Sequence, residues 1–256
     1  MNVFWLQKTE ADVPKDDDWL CTNEVLRLKD MRFAKRRADW RLGRWTAKFA
    51  VAAYLRRSSG ADFLSGIEIR PALSGAPEVF LAGQPATVAI SLSHSSGKAM
   101  AAVVPSGIAL GCDLETIEPR SDTFLADYFT PEEQFLVACA PVPDRPALVA
   151  LLWSAKESAL KALHQGLRLD TRSVLVNSVG RDGHSGYAVQ TSDKHAAQEL
   201  RHTDREHSQD EWCAFQLLCT TDGRTFHGWW QSAGNFVRTL VADPPLLPPR
   251  LLDSQF

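Results

Sequence analysis

One long amphipathic helix, followed by an abrupt change of texture, constrains this chain more than any other feature. From Phe33 to Leu55 the apolar residues Trp40, Ala47, Val51 and Tyr54 recur at helical spacing, with Leu42, Trp45, Phe49 and Ala53 beside them. After Gly60 come short apolar pieces divided by Gly and Pro: Gly66 to Arg70, Ala86 to Ser93, Ala99 to Val104 and Gly107 to Glu115. These read as strands, as does Val3 to Leu6 at the start, while Asn23 to Met31 reads as a first short helix. Thr130-Pro-Glu-Glu133 opens another helix with a capping box and Pro in its first turn. A further helix begins at Asp144 and Pro146, carries Trp153 to Leu163 and stops near Gly166. Ser173 to Val179 and Glu211 to Thr220 are strand-like again. This order lacks the regular alternation and glycine-rich fingerprint of a doubly wound sheet and predicts an α+β fold.

The chain has 256 residues, enough for one large domain or two smaller ones. With 45% hydrophobic and 23% charged residues it has the composition of an ordinary globular protein. Its apolar runs, such as Ala147 to Trp153, fall far short of the roughly 20 residues a bilayer span needs. Met1 to Glu10 has no basic start and apolar stretch of the kind that directs export, so a cytoplasmic protein is expected. The five cysteines, Cys21, Cys112, Cys139, Cys213 and Cys219, form no C-x-x-C pair and are expected to be buried thiols. Thr191 to Asp210 is polar enough for an exposed loop, and the proline-rich end from Pro244 to Pro249 predicts a surface tail. No internal repeat is evident.

A net charge of −3 argues against a general nucleic-acid binder, yet it averages two unlike parts. Between Arg27 and Arg57 eleven Lys or Arg face only Asp30 and Asp39, a local +9 that leaves −12 for the remainder. Such a block is either a solvated helix surface or a site for a localised anionic partner, a phosphate group or an acidic protein face. Within it Arg37, Arg41, Arg44 and Lys48 line one stripe of the long helix.

Three groups of residues carry possible chemistry. Asp113 and Glu115 lie on one face of a strand whose other face holds Ile108, Leu110, Cys112 and Leu114. Two acids so placed can share a hard cation such as Mg²⁺, although many strands reaching the surface carry a D-x-E. In Trp153-Ser-Ala-Lys-Glu-Ser-Ala-Leu-Lys161, Glu157 and Lys161 share a helix face with Trp153. The pair is either a surface ion pair contributing about 0.2–0.5 kcal/mol or a third carboxylate with a phosphate-neutralising cation. Ser91-Leu-Ser-His-Ser95, at the end of a strand, offers hydroxyls, an imidazole and backbone N–H groups to a phosphate. It lacks the G-x-S-x-G elbow of a hydrolase.

In order and separation, Gly75-Ala-Pro77, Ser91 to Ser95, Gly111-Cys-Asp-Leu-Glu115, Phe129-Thr-Pro-Glu-Glu133 and Trp153 to Lys161 resemble the surfactin-type 4'-phosphopantetheinyl transferases. Asp39-Trp-Arg-Leu-Gly-Arg44 is similar to the family's basic helix, and the resemblance runs from Phe33 to Asp170. It implies an α+β monomer of two similar halves related by a pseudo-twofold, 1–108 and 109–256, each a long helix on a small antiparallel sheet. Coenzyme A and Mg²⁺ would bind between the halves. The enzyme would move the phosphopantetheine arm of coenzyme A onto a serine of an acyl or peptidyl carrier protein and release adenosine 3',5'-bisphosphate. The carrier could serve fatty acid, polyketide or nonribosomal peptide synthesis. Neither nucleic acid nor membrane is an implied partner.

By the same resemblance Asp113, Glu115 and Glu157 would hold the metal, with Glu157 also a candidate base. Lys161 would stabilise charge on the transferring phosphate. Ser93, His94, Lys156, Lys161, Arg37 and Arg44 would contact coenzyme A. Two departures stand out. Ala76 replaces a common lysine, and Ser158 replaces a common alanine, a change expected to matter little. The residues through Trp229-Trp230 to Phe256 are expected to pack across the back of the halves. The main alternative is a non-catalytic coenzyme A or nucleotide-binding protein of the same fold; an unrelated Mg²⁺-dependent phosphohydrolase is a third.

Overall fold

The computed structural model describes residues 1–181, 184–188 and 211–252. The polar stretch Thr191 to Asp210 lies outside the described residues. In chain order the structure comprises β1 (Asn2–Thr9), α1 (Thr22–Lys29), α2 (Ala34–Tyr54), α3 (Ala61–Ser65), β2 (Ile67–Pro71), β3 (Pro77–Leu81), β4 (Gln84–Pro85), β5 (Val88–Ser95) and β6 (Lys98–Pro105). There follow β7 (Ala109–Thr116), α4 (Asp122–Tyr128), α5 (Pro131–Cys139), α6 (Arg145–Ala162), β8 (Val174–Arg181), β9 (His184–Ala188), β10 (Cys213–Cys219), β11 (Thr225–Ala233), β12 (Phe236–Asp243) and β13 (Leu247–Leu251). Helices and largely antiparallel sheets are thus combined in one chain.

Strand alternation assigns each sheet face to a different core. One sheet runs β13-β1-β6-β5 and a larger one β7-β12-β11-β10-β8-β9, with β2-β3-β4 forming a small third. On β6, Ala101 and Val103 pack toward α2, whereas Met100, Ala102 and Val104 pack toward the second sheet. On β12, Val237 and Val241 pack toward α6, and Phe236, Leu240 and Ala242 meet the first sheet. The result is four layers, helix α2, two stacked sheets and helix α6, each interface filled by side chains one residue apart in sequence.

The ends of the chain join the layers differently from the sequence expectation. The segment from Pro244 to Pro249 is no loose tail: β13 pairs in parallel with β1 at the edge of the first sheet. An edge position tolerates Pro248 and Pro249 because it leaves one side of the strand without ladder partners. Trp229 and Trp230 lie inside the second sheet on β11, paired with Leu240 and Thr239 of β12. All five cysteines are free, but only Cys112 and Cys219 are buried, and Cys139 is exposed.

Two distant parts of the chain share a detail that no repeat in the sequence announced. Lys48 on α2 is fully buried, 2.5 Å from Glu24 Oε2, and donates to the carbonyls of Trp19 and Leu64. Lys156 on α6 is fully buried, 2.8 Å from Glu133 Oε2, and donates to the carbonyls of Thr171 and Val174. Glu24 accepts from Ile69 N and Glu133 from Val176 N, so each carboxylate ties a short helix to a strand. The lysines sit in matching sequences, Trp45-Thr-Ala-Lys48 and Trp153-Ser-Ala-Lys156. The match is too short to read as a repeat before the two ion pairs are seen.

Candidate functional site

The candidate site lies where the open edge of β7 passes over β5. The two strands share no backbone ladder; alternate serine hydroxyls of β5 reach across instead. Ser91 Oγ accepts from Cys112 N at 2.9 Å, Ser93 Oγ donates to Asp113 Oδ1 at 2.8 Å, and Ser95 Oγ bonds Thr116 Oγ1 at 3.0 Å. The hydroxyls lie two residues apart on one face of the strand, and His94 between them is exposed. The structure therefore gives the Ser93 donor to Asp113.

Helix α6 covers the other face of β7, and Gly111 makes that approach possible. A Cβ at Gly111 would overlap the carbonyl oxygen of Ser158. Its absence lets the helix settle against the strand and brings Lys161 onto Asp113. Lys161 Nζ donates to Asp113 Oδ1 at 2.6 Å and to the Cys112 carbonyl at 3.0 Å. Ser158 matters more than expected, because its buried hydroxyl bonds Thr239 Oγ1 at 2.7 Å, alongside Ser154 at 2.8 Å. These hydroxyls pin α6 to β12.

Glu115, two residues along the same face, is held from two sides. Trp153 Nε1 donates to Glu115 Oε1 at 3.0 Å and Arg120 to Oε2 at 3.3 Å. The indole is in turn flanked by Phe124 and Tyr128, each with ring centroids 5.1 Å away. Sequence reasoning placed Trp153 on the same stripe as Glu157 without a role for it; its N–H serves Glu115. Gly111 stands in the quoted motif without a role of its own and Arg120 was not singled out, since nothing local reveals a helix passing overhead or a cation folding back five residues.

The site is electrostatically unbalanced. Burial, reinforced by the Asp113 charge, pushes the Glu115 carboxyl up to about 7 despite Arg120, Trp153 and Lys161. Burial also raises Glu157, with Lys161 opposing the shift and Asp113 adding to it. Burial would lower the Lys161 ammonium, but Asp113 and Cys112 reverse that and hold it above its ordinary value. Asp113 Oδ2 is buried without a hydrogen-bond partner among the described residues. Among the described residues no three His, Cys, Asp or Glu side chains are drawn together as a closed metal cage. An orphaned carboxylate oxygen beside two carboxyls whose charge is disfavoured nonetheless suits a hard divalent cation, whose ligands are oxygens of this kind.

The remaining expected contacts separate into inward and outward groups. Lys156 cannot meet a ligand, since it is fully buried and its donors go to Glu133, Thr171 and Val174. Arg44 turns inward, 3.6 Å from Glu24 and stacked over Trp40. Arg41 binds the carbonyls of Pro14, Lys15 and Asp16, and Lys48 holds Glu24. Of the predicted basic stripe only Arg37 is fully exposed. Beside the Ala76 departure, Arg168 donates to the carbonyl of Ser74, so a cation from beyond α6 reaches this turn.

Residues 109–216, which include Asp113, Glu115, Glu157 and Lys161, match the family model of the 4'-phosphopantetheinyl transferase superfamily. No curated protein matches the chain. A holo-(acyl-carrier-protein) synthase from Bacillus anthracis str. Ames, solved in complex with CoA (3',5'-ADP), is similar at 23% identity over 41% of this chain and 94% of that chain, with a TM-score of 0.35. Among the described residues no helix is long and apolar enough to cross a membrane.

Proposed function

We propose that this protein is a Mg²⁺-dependent 4'-phosphopantetheinyl transferase of the surfactin type, acting as a monomer on an acyl or peptidyl carrier protein. The observation that carries the reading is the meeting of Asp113, Lys161 and Ser93 at the β5–β7 seam, with Asp113 Oδ2 left open and Glu115 and Glu157 close enough to feel its charge. The family match over 109–216 supports it independently. On this reading the halves 1–108 and 109–256 are related by a pseudo-twofold, which the paired Lys48–Glu24 and Lys156–Glu133 contacts support.

In the transfer, the carrier serine Oγ attacks the phosphorus that bears the pantetheine arm. The bond from that phosphorus to the bridging oxygen breaks, and adenosine 3',5'-bisphosphate leaves. Glu157, its carboxyl pushed above the ordinary value by burial, takes the serine proton directly or through water. Lys161, anchored by Asp113, presents positive charge to the transferring phosphoryl oxygens. Asp113, Glu115 and Glu157 would hold Mg²⁺, which supplies charge neutralisation to the pyrophosphate. Arg37 and His94 remain exposed for the nucleotide phosphates.

The test is incubation with coenzyme A, Mg²⁺ and a panel of apo carrier proteins. A mass gain of one phosphopantetheine on the carrier serine is expected. Folded protein that binds coenzyme A yet modifies no carrier would favour the non-catalytic reading, and phosphate release without a carrier would favour a phosphohydrolase.

A further inference from the structure

Once the inward cations are assigned to the fold, the rest of the basic block is an outward surface at the α1–α2 junction. Arg27 and Lys29 on α1, Arg32 between the helices, and Lys35 and Arg36 on α2 are all exposed. Among the described residues none of the five has an ion-pair partner within reach. Two large apolar side chains stand among them, Leu26 at 55% and Phe33 at 71% exposure. The helix itself is unusual here, because Ala34 to Ala38 are exposed on every side. A stretch of more than one turn with no buried face gains nothing from packing within its own fold.

The surface lies at the site's end of the molecule. Helix α2 runs antiparallel to β1, with Tyr54 against Phe4 and Phe49 under Lys8. Its N-terminal part therefore continues past Thr9, the end of β1, for about 20 Å. Thr9 is opposite Lys98 on β6, and Lys98 is opposite Ser95 on β5, two residues from the serine that holds Asp113.

We propose that the α1–α2 junction is the docking surface for an acidic, helical face of the carrier protein, with Phe33 and Leu26 as its apolar anchors. This rests on the transferase reading and adds to it where the partner sits. The five cations are spread over α1, the turn after it and the start of α2 rather than gathered on one element. They suit an extended acidic face, with the apolar pair supplying contacts that charge alone does not. The −12 carried by the remainder of the chain disfavours a nucleic acid as the partner.

The deciding variants are Arg32→Glu/Lys35→Glu/Arg36→Glu and, separately, Phe33→Ser, none of which touches a buried group. With an apo acyl carrier protein and an apo peptidyl carrier domain as probes, KM for the carrier should rise roughly tenfold or more in the charge variant. Its kcat and its KM for coenzyme A should stay within about twofold, and the salt dependence of carrier KM should flatten. Phe33→Ser should raise carrier KM without altering the salt dependence. An unchanged carrier KM, or a rise confined to coenzyme A, would overturn the proposal. Fluorescence anisotropy of labelled apo carrier without coenzyme A separates this proposal from the transferase reading. Carrier binding weakened in the charge variant supports the surface even if no transfer occurs. Carrier binding retained by the variant, absent from the wild type, or accompanied by loss of duplex DNA binding alone, overturns it.

Discussion

Lys161 Nζ sits 2.6 Å from Asp113 Oδ1 and 3.0 Å from the carbonyl oxygen of the residue before it, so one ammonium fixes both the side chain and the backbone of the strand beneath α6. Lys161→Met removes the cation and leaves Asp113 facing Ser93 alone. Turnover should fall by about 10²–10³-fold. Stability should drop by about 1–3 kcal/mol as a buried carboxylate loses its charged donor. Steady-state kinetics beside urea titration measures both, and a variant that keeps wild-type kcat contradicts the role given to Lys161.

Among the described residues Glu157 has no hydrogen-bond partner, and burial raises its carboxyl against the attraction of Lys161. Glu157→Gln should therefore leave stability within about 0.5 kcal/mol while turnover falls by about 10²–10⁴-fold. Near-normal turnover at matched folding would remove Glu157 from the proton transfer.

Glu115 gives the fold a pH signature. Its carboxyl lies near 7 in the folded protein against an ordinary 4.5, so between those values the folded state binds more protons than the unfolded one. Stability contributed by this group is present below about 4.5 and declines as pH rises to about 7, by up to about 3 kcal/mol. Glu115→Gln should remove that decline. Melting curves of both proteins from acid to neutral pH, without added metal, check it; parallel curves would show that Glu115 is not the group responsible. Added Mg²⁺ should recover stability in the wild type as pH rises, because the cation favours the ionised carboxylate.

The twin buried lysines should behave alike although only one lies in a motif associated with catalysis. Lys48→Met and Lys156→Met each leave a buried carboxylate, Glu24 or Glu133, without its cation and should destabilise by about 3–5 kcal/mol. Denaturant midpoints decide the point. If Lys156→Met were as stable as the wild type but lost coenzyme A binding, Lys156 would be a ligand contact and the burial argument would fail.

Gly111→Ala should lower stability by several kcal/mol and take activity with it, since the new methyl meets backbone of α6 that cannot move as a side chain does. Ala substitution at Gly43 on α2, which has open space around it, serves as the control and should be near neutral or slightly stabilising.

Much of the fold was legible locally. The periodicity of Phe33 to Leu55 became α2 (Ala34–Tyr54), and the capping box at Thr130 is present, with Thr130 Oγ1 accepting from Glu133 N at 3.3 Å. Alternation in β7 sent Leu110, Cys112 and Leu114 to the core between the sheets and Asp113 and Glu115 to the face under α6. Contacts between distant segments were not legible. β13 was misjudged because its prolines argue against a strand until β1 is seen to offer an edge. The basic stripe was misjudged because a cation's spacing on a helix does not reveal that Glu24 will be folded beneath Lys48 and Arg44.

The sequence by itself determined which residue types stand at which spacing: carboxylates at 113, 115 and 157, a lysine at 161, hydroxyls at 91, 93 and 95, and a surplus of positive charge between Arg27 and Arg57. These follow from local periodicity, which needs only the geometry of a helix or a strand. Tertiary structure alone decided which of those charges face inward. Burial penalises an unpaired ion far more than exposure does, so each cation's role depends on whether a distant carboxylate is brought to it. Lys48 and Lys156 met such partners and became part of the frame, while Arg32, Lys35 and Arg36 met none among the described residues and remain available to another molecule.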